Sequence, residues 1–513
     1  MDKNYYITTP IYYPSAKPHM GHAYSSIIAD FLARFKRIDG FNVYFLTGTD
    51  EHGLKIQRAA ENDNVDTLKF CDKISQTFKD LSKTLNLTNT DFIRTTEKRH
   101  KDSVQHLWKE LVKNEDIYLS KYSGWYSVSD EAFYNEDEIF EENGVKIAKI
   151  SKSPVEWMDE ESFFFRLSKW QEPLIKFYNE NPNFIQPESR KNEVISFVKS
   201  GLKDLSVSRK SFSWGIKVPN NDKHVIYVWL DALTNYISAL NYPNTNNDLF
   251  KKFWPASIHL IGKDILRFHA IYWPAFLMAA KIELPKRVYG HGWILSGDEK
   301  MSKSKGNILD PIEIINKYGL DPLRYYLVKE VSFGNDGNIS QEKLEDCINS
   351  DLANNYGNLC QRTISFAVKN CSQKIPKKIN FNNEDLKILD SFTSNIDKIR
   401  AEIDKQNINF YIEFIINALF ATNKYFNDQE PWKKKDDEIR LNTIVYTTLE
   451  MIRKITFMLY PIIPDTSLKV LKIFDLKAKD IVFSSISKHD FLKLDSDINP
   501  IDILFKKIEK KDD

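Results

Sequence analysis

Two short segments far apart in the chain constrain its fold more than any others, and they make sense only together. The first, His19-Met20-Gly21-His22, opens an apolar-periodic stretch. Its histidines stand at i and i+3, neighbours on one helix face. Gly21 between them removes a Cβ where a flat ring could lie against a positively polarised helix start. The second, Lys300-Met301-Ser302-Lys303-Ser304-Lys305-Gly306-Asn307, sets three lysines in six residues, flanked by Gly297 and Gly306. It reads as a basic loop expected to be able to move. Imidazoles, a helix start and a lysine loop together suit a nucleoside triphosphate. The fold is therefore expected to bring the two segments together.

The surroundings of the first segment place it on an α/β sheet. Asn4 to Thr9 reads as a buried strand of tyrosines and β-branched residues, ended by Pro10. Pro14, Ser15 and Pro18 turn the chain, and His19 to Arg37 follows as a helix. Its Ile27, Ile28, Phe31, Leu32 and Phe35 recur at helical spacing, with Gly40 just past the end. A second strand, Asn42 to Thr47, runs into Gly48-Thr49-Asp50-Glu51-His52-Gly53. Strand, helix, strand is the opening of a parallel α/β sheet. Ligands of such sheets sit beyond the carboxyl ends of the strands, where both the His19 and Asp50 segments fall.

Helical patterns continue from Leu54 to about Asn114. Residues 116 to about 215 then hold short aromatic runs broken by turn residues, an inserted unit of strands with a few helices. Val225 to Leu230 and Ile258 to Ile261 read as apolar strands that resume the sheet. From about Ser340 the pattern is almost wholly helical, and Phe410 to Phe420 looks like a core helix of a bundle.

Bulk properties narrow the class. At 513 residues the chain is too long for one core. With 72 Lys+Arg against 71 Asp+Glu, net charge announces no nucleic-acid or membrane partner, so any RNA contact must come from local patches. The cysteines, at 71, 347, 360 and 371, form no Cys-x-x-Cys pair. That favours a reducing compartment and argues against a structural zinc site. No apolar run reaches the roughly 18 residues of a membrane span. The strand at the N-terminus is expected to leave no room for a signal or transit peptide. A soluble, cytoplasmic protein is the expectation.

A lone His-x-x-His is usually incidental, and a lone lysine loop is usually a solvated turn. In this order around an α/β pattern the pair resembles the two signatures of class I aminoacyl-tRNA synthetases, His-x-Gly-His and Lys-Met-Ser-Lys-Ser. The resemblance narrows to the methionyl-tRNA synthetase family through Tyr6 to Tyr13, Thr47 to Gly53, Tyr227 to Ala232, Ile261 to Ile265 and His291-Gly292-Trp293. It runs from the N-terminus to about residue 465. It implies a Rossmann-like parallel-sheet catalytic domain with an inserted α+β connective domain, followed by an all-α helical-bundle anticodon-binding domain. The expected boundaries are 1–115 for the first half of the catalytic domain and 116–224 for the insertion. Residues 225–344 would be the second half with the lysine loop, and 345–513 the anticodon-binding domain.

The resemblance implies methionine contacts at Ile11, Tyr13, Asp50, Trp229, Leu233, Tyr236, Ile265, Phe268, His269 and Trp273. Elementary chemistry agrees, since a carboxylate at Asp50 can bind an ammonium and aromatic rings suit a thioether. Taken singly, Trp229, Phe268 and Trp273 read equally well as core. For ATP the resemblance implies His19, Gly21, His22, Lys300 and Lys303, with Gly262, Asp264 and His291 on the nucleoside side. His19, His22, Lys300 and Lys303 are the expected catalytic set. Mg2+ would accompany ATP through its phosphates. Positioning and charge stabilisation would dominate the chemistry.

The insertion departs from many relatives. Where those carry cysteine knuckles that hold zinc, this chain has Ser127 and Asp130 and no cysteine between 72 and 346. A metal-free insertion packed on Trp125, Tyr126, Phe133 and Tyr134 is expected. In the helical half, Asn358, Arg362 and Trp432 match anticodon-reading positions. Asn358 and Arg362 stand at i and i+4, and Trp432 offers a plane for an unstacked base. The implied partners are L-methionine and tRNA(Met), initiator and elongator, with no membrane and a monomeric chain. Two other readings remain at this level: a nucleotidyltransferase with a small-molecule acceptor, and a non-catalytic tRNA-binding relative. The helical half is unneeded in the first, and the intact histidine and lysine sets are unneeded in the second.

Overall fold

A computed structural model describes the chain except residues 1–2, 15–16, 131, 297–298, 301–308, 379 and 510–513. For residues 122, 132–133, 160, 296 and 299–300 it describes the backbone alone. The chain divides into two compact units. One is Asn4–Pro18 with Val43–His291, and the other is Met1–Lys3, His19–Asn42 and Gly292–Asp513.

The first unit is built on a six-stranded sheet. Strand β1 is Asn4–Tyr12, β2 is Asn42–Thr49 and β3 is Asp91–Arg94. The order is β3, β2, β1, Ile258–Gly262, Val288–His291, Ile185–Gln186. The ladders with described registers are parallel: Ile7 lies opposite Ile258, Gly262 opposite His291, and Gly48 opposite Ile93. Parallel strands are buried on both faces, which is why β1 reads as a near-continuous run of aromatic and β-branched residues. Gly48 is required here, because a Cβ on it would stand 2.0 Å from the Ile93 carbonyl oxygen. Tyr6, Leu46 and Ile93 from the strands pack into one core with Val104, Leu107, Trp108 and Leu111 of the helix Lys98–Lys113. Trp273, Phe276 and Leu277 of the helix Trp273–Ala279 complete it.

Two features of this unit differ from the sequence reading. Val225 to Leu230 is not one strand. The strand Asn221–Ile226 ends there and pairs antiparallel with Ser208–Arg209 and Lys217–Val218, and Val228–Leu233 is helical. A short apolar run has no period that separates strand from buried helix, so the boundary was invisible. In addition, Ile185–Gln186, from the stretch read as an insertion, forms the edge strand beside Val288–His291. The rest of that stretch centres on an antiparallel pair, Ile117–Ser127 with Glu156–Phe165. Leu205–Ser206 and Ala132–Tyr134 flank it.

The second unit holds helix α1, Met20–Ile38, with a helical array that includes Ile408–Gln429 and Glu438–Leu459. Nearly all of α1 is buried. Phe31 and Phe35 pack edge-on against Tyr411, with ring centroids 5.3 and 5.5 Å apart. Asp30 receives Arg34 at 2.7 Å and Arg324 at 2.6 Å, and both Asp30 and Arg324 are fully buried. Asp39 receives Arg400 at 2.6 Å, and Lys36 pairs with Asp404. Two buried charges taken from water are tolerable only when paired and hydrogen-bonded. Arg324 meets that condition by also donating to the Ile462 and Pro461 carbonyls.

Candidate functional site

In the second unit, His19 is the N-cap of α1 rather than its first helical residue. Its Nδ1 accepts from the Gly21 backbone N–H at 3.1 Å, and the His22 Nδ1 accepts from the His19 backbone N–H at 3.0 Å. This is a capping box written with two imidazoles. The rings lie 3.9 Å apart, and a Cβ on Gly21 would press to 3.0 Å on the His19 ring, so the glycine makes room for its neighbour. Burial first, then the adjacent His19, hold His22 well below the ordinary histidine range. With Nδ1 accepting, each neutral ring carries its proton on Nε2. The first turn of α1 is therefore flanked by two ring N–H donors beside a positively polarised helix end, an arrangement that suits phosphate.

Lys300 lies in a two-residue strand opposite Leu295, described by its backbone. Lys303 and the rest of its loop lie outside the described residues, and so does the expected approach of that loop to His19.

In the first unit, Gly262 and His291 are register partners at the ends of adjacent parallel strands, with Asp264 two residues beyond. These are strand carboxyl ends, where α/β sheets bind ligands.

The ten candidate methionine residues all belong to this same unit. Ile11 and Tyr13 come from the end of β1 and Asp50 from just past β2. Trp229 and Leu233 ride the helix Val228–Leu233, and Tyr236 the helix Asn235–Ser238. Ile265 ends a short 3-10 turn, and Phe268 and His269 occupy a π-helical turn that leads into Trp273. Such turns often mark functional sites. Trp229 and Phe268 stack face to face at 3.7 Å with planes 6° apart. His269 Nδ1 lies 2.9 Å from the Ile265 carbonyl, and its Nε2 lies 2.7 Å from the Tyr236 hydroxyl. Burial brings His269 down to about 4, so the ring is neutral. Its Nδ1–H donates to the carbonyl and its Nε2 accepts from the phenol. The Asp50 backbone N–H donates to the Tyr12 carbonyl at 2.9 Å, which fixes the loop to β1.

Several residues in this region were not singled out from the sequence. His259 lies 4.0 Å beneath the Tyr236 ring. It is fully buried between the Thr8 hydroxyl at 2.9 Å and the Trp273 indole N–H at 3.3 Å. The Glu51 carboxylate takes Arg94 at 2.7 and 3.0 Å and the Thr49 hydroxyl at 2.8 Å. His52 and His100 share Asp231. The signal available was that Glu51, His52 and Asp231 lie inside stretches that carry the family resemblance, which does not say what they face.

The insertion holds a polar knot where sulfur ligands were sought. Asp130 accepts from Tyr134 at 2.7 Å, from Ser153 at 2.8 Å and from Ser151, and its own N–H donates to the Ser127 hydroxyl at 3.3 Å. Tyr126 is buried, and Trp125 packs on Trp157 at 5.2 Å. The Phe133 side chain lies outside what is described. Among the described residues, no group of three or more His, Cys, Asp or Glu could hold a metal.

In the helical array, Asn358 and Arg362 stand on the helix Asn358–Asn370. The Arg362 guanidinium donates to Asn427 at 2.8 Å and Asn423 at 3.3 Å, and lies 5.1 Å over the Phe426 ring. Trp432 packs edge-on against that same Phe426 at 6.0 Å and stays 40% exposed. Arg362 and Trp432 are thus brought to one ring. Asn423 and Asn427, which orient the arginine, were not anticipated.

Comparison with known proteins identifies relatives of the whole chain. A family model for class I tRNA synthetases (M) matches residues 5–145 and 143–364. A second, for the anticodon binding domain of methionyl tRNA ligase, matches 375–513. The methionine–tRNA ligase of Rickettsia felis is 49% identical over 513 residues, covering 99% of both chains. That of Brucella suis is 48% identical over 486 residues, 94% of both. A solved structure of Mycobacterium tuberculosis methionyl-tRNA synthetase in complex with methionyl-adenylate superposes with a TM-score of 0.95 at 43% identity. It covers 98% of this chain and 99% of that one.

Proposed function

The chain belongs to the methionyl-tRNA synthetase family of class I aminoacyl-tRNA synthetases, and from that premise we propose which of its residues carry the reaction. The enzyme is a methionine–tRNA ligase. In the first step a methionine carboxylate oxygen attacks the α-phosphorus of ATP, and the bond to pyrophosphate breaks. In the second, a hydroxyl at the 3′ end of tRNA(Met), initiator or elongator, attacks the carbonyl of the mixed anhydride and AMP leaves.

The methionine assignment rests on one observation: a neutral, hydrogen-bonded His269 beside the Trp229–Phe268 stack, in the unit that also holds Asp50. Asp50 would bind the ammonium by a charge-assisted hydrogen bond. Ile11, Tyr13, Leu233, Tyr236, Ile265 and Trp273 would enclose the thioether side chain, with sulfur–aromatic contact to the rings. His19 and His22 would donate from Nε2 to phosphate oxygens, and Gly21 would keep the helix start close to them. Lys300 and Lys303 would neutralise charge as it develops on the leaving pyrophosphate. Gly262, Asp264 and His291 would hold the nucleoside. Mg2+ enters with ATP as part of the substrate.

In this reading 1–115 and 225–344 carry activation, 116–224 is a connective insertion without zinc, and 345–513 reads the anticodon through Asn358, Arg362 and Trp432. The chain works as a cytoplasmic monomer. Among the described residues no helix is long and apolar enough to cross a membrane. Methionine-dependent ATP–pyrophosphate exchange, followed by charging of tRNA with a CAU anticodon, tests the assignment. Exchange without charging would favour a nucleotidyltransferase with a small-molecule acceptor instead.

A further inference from the structure

We propose that His52, clamped by the buried carboxylate of Asp231, is the positioning residue that sets the methionine-binding segment, and that it acts on methionine affinity rather than on ATP. The inference rests on the methionine pocket proposed above and names what holds that pocket in place.

The geometry joins three stretches of chain through one carboxylate. His52 Nδ1 lies 2.6 Å from Asp231 Oδ2, and His100 Nε2 lies 2.7 Å from Asp231 Oδ1. The other nitrogen of His100 is 2.8 Å from the Ser238 hydroxyl. Asp231, His100 and Ser238 are fully buried, and His52 is 3% exposed. Burial alone would raise the Asp231 carboxyl. The two imidazoles more than offset this and hold it at about 2, so the carboxylate is charged and both rings donate to it.

Two of the three stretches also carry candidate pocket residues. Asp231 lies between Trp229 and Leu233 on one short helix. His52 follows Asp50 by two residues, and its backbone carbonyl accepts from the Tyr13 hydroxyl at 3.1 Å. Trp214 closes over His52 at 5.7 Å and donates its indole N–H to the Glu51 carbonyl at 2.6 Å. The Glu51 side chain is held separately by Arg94, Thr49 and Thr96. The two residues that follow Asp50 are therefore both anchored, and Asp50 inherits their position. A buried charge network of this kind is weak evidence for stability, because apolar side chains often pack as well. Its return is a single arrangement of Asp50, Tyr13 and Trp229. Preorganisation of that sort lowers what binding costs a ligand.

The test is steady-state ATP–pyrophosphate exchange on the full chain, with methionine and ATP varied separately. His52→Ala should raise KM for methionine about tenfold or more, the change expected for losing a hydrogen bond to a charged group. KM for ATP should stay within about threefold. His52→Asn, whose amide can donate from near the Nδ1 position, should restore most of the methionine KM. Should His52→Ala fail to fold, Asp231→Asn carries the same expectation. An unchanged methionine KM in the variant that folds would overturn the proposal. So would equal rises in both KM values, or an Asn variant as impaired as the Ala one. Asp50→Asn run alongside separates the two readings. If Asp50→Asn raises KM for methionine and His52→Ala does not, the clamp is wrong and the pocket stands. If neither does, the pocket assignment itself has failed.

Discussion

His269 titrates far below its ordinary range because it is buried, which outweighs the opposing effects of the Ile265 carbonyl and Asp264, and the consequence is measurable. Its folded value of about 4 lies below the roughly 6.5 of an unfolded chain. Below pH 6.5 the unfolded chain takes up a proton that the folded one resists. The stability this residue contributes is therefore present above about pH 6.5 and lost as pH falls through about 4, up to about 3 kcal/mol across that window. His269→Gln should flatten this part of the acid-side loss, read as thermal midpoints at pH 7 and pH 4.5. Parallel falls in variant and wild type would show that the ring is charged in the folded state. At the same scale, Lys303→Ala should slow adenylate formation at least about 100-fold with little change in methionine affinity, the magnitude for one lost charge-stabilising donor. Single-turnover adenylate formation measures it.

At the scale of elements, α1 has two jobs. Its first turn carries the His19–His22 capping pair, its middle is gripped by Arg324 and Tyr411, and its C-terminal end by Arg400 through Asp39. A helix transmits position along its axis, so the site of the Asp30–Arg324 pair bears on where the histidines stand within the unit. Arg324→Ala would remove one of the two arginines paired with Asp30 and take a donor from the Ile462 and Pro461 carbonyls. Breaking one partner of a buried pair costs about 3–5 kcal/mol. A fall in thermal midpoint on the order of 5–10 °C is expected, followed by scanning calorimetry. A shift of a degree or two would mean that the other partners of Asp30 suffice.

For the whole molecule, the candidate methionine pocket lies in one compact unit and the anticodon candidates in the other. Residues that read tRNA should then be separable from those that activate methionine. Trp432→Ala should leave ATP–pyrophosphate exchange intact and weaken charging by about 1–3 kcal/mol, the worth of one base stacked on an aromatic ring. Comparable losses in both assays would make Trp432 a packing residue, since it also touches Phe426.

By itself the sequence determined what depends on near neighbours. The α1 pattern, the strand–helix–strand opening, the glycine between two histidines and the i, i+4 pair Asn358–Arg362 all follow from spacing, because backbone periodicity is local. Likeness to a family supplied the candidate pocket residues. Tertiary structure alone decided the rest. His52 meets Asp231 across 179 positions, Arg324 meets Asp30 across 294, and the asparagines that orient Arg362 lie a helix away. Ile185–Gln186 joined the sheet as two residues too few to show a period. His269 has no settled tautomer until Ile265 and Tyr236 surround it. Burial and partnership are properties of the folded chain, and they turn a histidine or an aspartate from a letter into a donor, an acceptor or a charge.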